Sequence, residues 1–208
     1  SNIQSGITNT GTISSQLFGI ASFGSTISGS IFNSGSIQGA GKIGGMSNPP
    51  QLGISLYSGV VEGGITNTGM IVGYSQGVGI FGSTITGGIF NSGTISTLIP
   101  ANSNSGFAAL NIVSSSVSGD IVNTGLISSY NQGIRLQSSV LTGSIHNSGT
   151  IISGTWAGIR VNDSLITGDI VNSGSISGYT GIRIEGSQIA GSLVNSGTVA
   201  GFGYAGVL

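Results

Sequence analysis

Residues 168–191 read Gly168-Asp-Ile-Val-Asn-Ser-Gly-Ser-Ile-Ser-Gly-Tyr-Thr-Gly-Ile-Arg-Ile-Glu-Gly-Ser-Gln-Ile-Ala-Gly191. Apolar residues recur at every second position in short runs cut by glycine. Ile176, Ile182, Ile184 and Ile189 would therefore project to one side, and Ser175, Ser177, Arg183 and Gln188 to the other. This is the period of a strand. Isoleucine and valine fill the inward positions, and their β-branched side chains also favour strands. No window sustains a helical stripe, so helices are not expected.

Working outward from this stretch, the same text returns along the chain. The segments around Asn9, Asn33, Asn67, Asn91, Asn123, Asn147, Asn172 and Asn195 all fit apolar-x-Asn-Ser/Thr-Gly-x-apolar, at successive spacings of 24, 34, 24, 32, 24, 25 and 23 residues. A unit of about 24 residues, twice lengthened, is the mark of a stacked repeat whose units bury their apolar faces only against their neighbours. Each unit supplies three or so short strands, too few and too short for a propeller blade, and the leucine framework of a leucine-rich repeat is missing. The expected fold is all-β: a parallel β-helix of about eight coils of about 24 residues, forming a single domain over 1–208. Loop insertions are expected near 40–50 and 98–105. Coils stacked at ~4.8 Å would give a rod on the order of 40 Å long.

Two residue types acquire roles in such a coil. Glycine would relieve steric conflict at corners where φ is positive. The eight asparagines would lie directly above one another, and because a carboxamide both donates and accepts, they could bond along the axis as an internal ladder. The alternative for each asparagine is a local turn hydrogen bond with no link between coils.

The chain has 40 glycines and 3 prolines in 208 residues, which excludes collagen. It is 38% hydrophobic, which sets it apart from disordered low-complexity sequence. Four basic and five acidic residues give a net charge of −1, with no electrostatic footprint for nucleic acid. No apolar run is long enough for a membrane-spanning helix. Without cysteine there is no disulfide framework and no thiolate chemistry.

The Ile-x-Asn-Ser/Thr-Gly-x-Ile pattern, cysteine-free and poor in charge, resembles the passenger regions of bacterial autotransporters and related haemagglutinin-type adhesins over residues 7–208. That resemblance implies a right-handed β-helix, an extracellular or cell-surface location and a structural or adhesive role. Its partners would be other copies of the chain or cell-surface and glycan ligands. The interior run Trp156-Ala-Gly-Ile159 is matched by Tyr204-Ala-Gly-Val207 at the end of the chain, which reads as a segment of a longer array. A self-assembling extracellular filament subunit, stacking end to end, is the alternative, and a polysaccharide-degrading enzyme stands third.

Catalysis is not expected. The acids are Glu62, Asp120, Asp163, Asp169 and Glu185. Asp120 and Asp169 hold equivalent places two coils apart, ~10 Å by coil spacing, which is too far for a retaining carboxylate pair and marginal for an inverting one. Turn positions suit them better. His146 takes an outward position filled elsewhere by Phe32, Phe90, Val122 and Val171, and a lone imidazole is a poor metal ligand. No cofactor or metal is expected. The hydroxyl grid beside the asparagines is broken by Met70 and Leu126, so a turn role outweighs ice binding.

A contact edge is the remaining candidate. Arg135, Arg160 and Arg183 fall in register on consecutive coils, where like charges would repel unless water, counterions or an anionic ligand screens them. Sulfate, phosphate or uronate would serve, and a solvated face is the plainer reading. Tyr74, Tyr130, Tyr179 and Phe202 each follow a repeat asparagine by seven residues, and Trp156 follows by nine. These rings are either corner packing or anchors for sugar faces. Both insertions start at this edge.

Overall fold

The structure, a computed structural model, describes residues 1–40, 51–98 and 107–208. The expected insertions, with Lys42, lie outside the described residues apart from Ala40 and Leu98. What is described is an all-β stack of about eight coils, with every strand pairing parallel and joining one coil to the next. Residues recur in register at the expected spacing, as in Asn123↔Asn147 and Asn147↔Asn172.

A full coil carries four strands, one more than the periodicity suggests. In one coil these are Val140–Leu141, Ile145–Asn147, Thr150–Ser153 and Ala157–Asn162. We call the faces they build the short, asparagine, third and long faces. The short and asparagine faces are eight-stranded sheets. The third and long faces join into one sheet because Ser175–Glu185 runs through the bend between them as a continuous strand.

The inside of the tube is filled largely by aliphatic side chains. Ile31, Ile65, Ile89, Ile121, Ile145 and Ile170 form one fully buried column behind the asparagine face, and Ile37, Ile71, Ile95, Ile127, Ile151 and Ile176 form another behind the third face. Together with the columns of the other faces they make one continuous cluster. Burying each such side chain contributes about 1.5–3 kcal/mol, which is what holds these short strands together.

The asparagines form the ladder. Each Nδ2 from Asn9 to Asn172 donates to the Oδ1 of the asparagine one coil on, at 2.7–2.8 Å. The same nitrogen also reaches the carbonyl of its own glycine two residues later, as Asn123 does to Gly125 at 3.2 Å. The carboxamides from Asn9 to Asn172 are buried and satisfied, as a low-dielectric interior requires, and Asn195 at the end of the ladder is exposed. A serine ladder, not anticipated from the sequence, runs beside the short face. The backbone N–H groups of Gly59, Ser83, Ser115, Ser139 and Ser164 donate to the serine hydroxyl one coil on at 3.0–3.2 Å.

The expected role of glycine needs correction. Positive φ occurs at one corner per coil, and among the described residues that corner holds Gly24, Ser58, Gly82, Ser114, Ser138, Asp163 and Gly186 in successive coils, with φ from 47° to 56°. Four of the seven are not glycine. The glycine after each Asn-Ser/Thr pair answers to a different constraint. A Cβ on Gly35, Gly69, Gly93, Gly125, Gly149, Gly174 or Gly197 would fall 2.0–2.2 Å from the carbonyl oxygen of the equivalent glycine in the preceding coil. The chain turns so tightly against its neighbour at this column that there is no room for a side chain.

Candidate functional site

The outer surface of the long face carries two columns, two residues apart on the same side of the strand. One reads Ala21, Ser55, Gly79, Asn111, Arg135, Arg160, Arg183, and the other Phe23, Tyr57, Phe81, Val113, Gln137, Asn162, Glu185. The surface therefore changes along the axis, from small residues flanked by aromatic rings to arginines flanked by polar groups.

At the aromatic end, Phe23 and Tyr57 have ring centroids 6.4 Å apart, and Tyr57 and Phe81 5.9 Å apart, both tilted. Sequence reasoning missed this ladder, although the signal was present: each ring stands ten residues before a repeat asparagine. Phe23 and Tyr57 are exposed and Phe81 is half-buried.

At the other end the arginines have an internal counterion. Glu185 accepts from Arg160 Nε and Nη2 on one carboxylate oxygen, at 3.2 and 3.0 Å, and from Arg183 Nη2 on the other at 2.6 Å. Burial raises the Glu185 pKa, but the bonds from Arg183 and Arg160 outweigh it and hold the carboxyl below its ordinary value. Arg135, one coil earlier, donates to Asn111 Oδ1 at 3.2 Å, and Asn111 in turn donates to Gln76 Oε1 at 3.0 Å. Burial, and then the charge of Arg160, lower the Arg135 pKa.

Trp156 lies against the same arginines. The guanidinium carbons of Arg160 and Arg183 are 5.2 and 5.3 Å from its ring centroid, within cation–π range. Trp156 and Tyr179 are 44% and 46% exposed, and with Thr155 and Arg183 they bound an open cleft of about 240 Å³. Of the predicted edge, then, Trp156, Tyr179 and Arg183 come together and Arg160 flanks them. Tyr130 is exposed and Tyr74 half-buried, and neither lines this cleft. The predicted tyrosine column is not a continuous ring stack. Equivalent positions in the intervening coils carry Leu98 and Gly154, and its one ring contact among the described residues is Tyr179 with Phe202, 6.3 Å and edge-on.

Asp120 and Asp169 each accept from a backbone N–H of the next coil. Asp120 Oδ1 accepts from the Ser144 N–H at 2.8 Å, the Asp169 N–H donates to Ser144 Oγ at 2.9 Å, and Asp169 Oδ1 accepts from the Ser192 N–H at 2.7 Å. The three residues are links in one coil-to-coil chain. His146 occupies the outward register position between Val122 and Val171, with Nε2 4.0 Å from Asp120 Oδ2 on an open surface. Among the described residues no three acidic, histidine or cysteine side chains gather as a metal site, and no helix is long and apolar enough to cross a membrane.

No family model, curated protein or solved structure matches the chain.

Proposed function

We propose that the chain is a non-catalytic, extracellular β-helical segment of a bacterial surface protein, of the kind found in autotransporter passengers and haemagglutinin-type adhesins, with a structural and adhesive role. The observation that carries this reading is the division of labour across the wall of the tube. Inside, each coil repeats the same isoleucine, asparagine and serine columns. Outside, the long face changes residue type from coil to coil. A repeating interior maintains a scaffold of any number of coils, and a varied exterior is where contact chemistry belongs. The acidic residues support the non-catalytic part, since Asp120 and Asp169 are spent on backbone N–H groups and Glu185 on arginines.

The test is retention of beads carrying the purified chain on cell surfaces and on acidic-glycan surfaces, against uncoated beads. Retention above that of the uncoated beads is expected. Retention no better than that of blank beads on every surface would remove the adhesive reading. Release of reducing ends or unsaturated uronates from a polysaccharide panel would overturn the non-catalytic one.

A further inference from the structure

We infer that the cleft formed by Thr155, Trp156, Tyr179 and Arg183 binds a carboxylate-bearing sugar unit, a uronate, of an acidic glycan. This inference rests on the adhesive reading and names its ligand class.

Three observations lead there. The first is a charge imbalance. Arg160 and Arg183 share a single carboxylate, that of Glu185. Arg135 adds a third cation one coil away, and Asp163, the other acid of this region, lies past the corner at the far end of the strand, where it accepts from Asn162 Nδ2. One further negative charge beside Arg183 would balance the pair. The second is geometry. Glu185 shows that these guanidiniums seat a planar carboxylate, and a donor is left over at the cleft: among the described residues, Nη1 of Arg183, which lines it, makes no hydrogen bond. A guanidinium fork matches a carboxylate with directed bonds that a point charge would not make. The third is the aromatic wall. Trp156 and Tyr179 are half-exposed at the cleft while the arginines hold the tryptophan in place. Rigid rings of this kind supply the flat apolar surface on which the C–H face of a sugar rests, at little cost in side-chain entropy. The cleft is smaller than the ~300–1,000 Å³ of a drug-sized site, so it accommodates one ring of a longer glycan.

The chain has a single tryptophan, so its emission reports on this cleft alone. Titrating tetragalacturonate should change Trp156 fluorescence saturably, and the methyl-esterified tetrasaccharide, which keeps the rings but loses the charge, should bind at least tenfold more weakly. Arg183→Gln should weaken binding of the acidic sugar at least tenfold. Tyr179→Ala, at an exposed position that leaves the ion pairs intact, should weaken it severalfold, and Phe202→Ala, which removes the same ring contact but does not line the cleft, should not. An equal response to acid and ester would overturn the proposal, as would no response to either, or an identical saturable change with inorganic sulfate at equal ionic strength. The two readings fail separately. Bead retention unaffected by Arg183→Gln would leave adhesion standing and remove this site from it. Tetragalacturonate binding by a chain whose beads are not retained on cells would do the reverse.

Discussion

Asn91 Nδ2 and Asn123 Oδ1 are 2.8 Å apart across 32 residues of chain, the same distance as between Asn67 and Asn91 across 24. The ladder rung is therefore indifferent to the number of residues in the coil, because the asparagine face is fixed by its neighbours above and below. Replacing Asn123 with alanine would remove the rung partner of one Asn91 N–H and of the Asn147 Oδ1 in a buried column. At about 1–3 kcal/mol for each unsatisfied group, the expected loss is about 2–6 kcal/mol, read from the urea midpoint. A loss below 0.5 kcal/mol, about the scatter of neutral surface substitutions, would mean that the ladder is not a source of stability.

The glycine columns make opposite predictions for two substitutions. Gly149→Ala places a Cβ 2.2 Å from the Gly125 carbonyl oxygen, which is backbone and cannot swing away, so overpacking should cost about 1–3 kcal/mol or more. Gly82→Ser puts serine at a positive-φ corner that Ser58, Ser114 and Ser138 occupy in other coils, and should cost no more than about 1–2 kcal/mol. Comparing the two thermal midpoints checks whether close stacking or backbone freedom is the stronger demand.

Ile176 is completely buried in the third-face column. Truncation to alanine should cost about 2–5 kcal/mol. Ile176→Asp would place a charge in a buried aliphatic column with no partner, and should prevent folding at neutral pH, visible as loss of the β-sheet circular dichroism signal.

Glu185 gives the chain an acid-sensitive element. Its folded-state pKa lies below the ordinary value of 4.5. The stabilisation is therefore fully present above the unfolded-state value and is lost as pH falls through the folded one. Unfolding midpoints measured from neutral pH down into this range should fall for the native chain. The Glu185→Gln variant should be less stable at neutral pH and show a flatter acid limb. Parallel limbs would place the acid sensitivity elsewhere.

Much of this fold is legible in the sequence because a repeating coil writes its inward residues at fixed spacing. Asn9 through Asn195 and the isoleucines that flank them declare both the coil and its ladder. The fourth strand is not legible in the same way. A two-residue strand such as Val140–Leu141 is too short to show a period. The glycine after Asn-Ser/Thr is conspicuous, but the carbonyl that forbids its side chain belongs to the previous coil, so its reason emerges only from stacking. At the candidate site, the register of Arg135, Arg160 and Arg183 is readable, and so is Arg183-x-Glu185, whose two-residue spacing puts both groups on one side of a strand. That Glu185 also reaches back one coil to Arg160, and that Trp156 swings against both arginines, depends on side-chain directions that spacing does not encode.

The rung that stays at 2.7–2.8 Å over 24, 32 or 34 residues also bears on how such a protein changes over generations. A coil makes its principal contacts with the coil on either side, and those contacts are nearly identical at every level. Duplicating or deleting one unit in frame would thus restore the same contacts on both sides of the splice, with no new interface to invent. Reach could then be adjusted in increments of ~4.8 Å, while the outward residues of each copied coil drift independently toward whatever they are selected to touch.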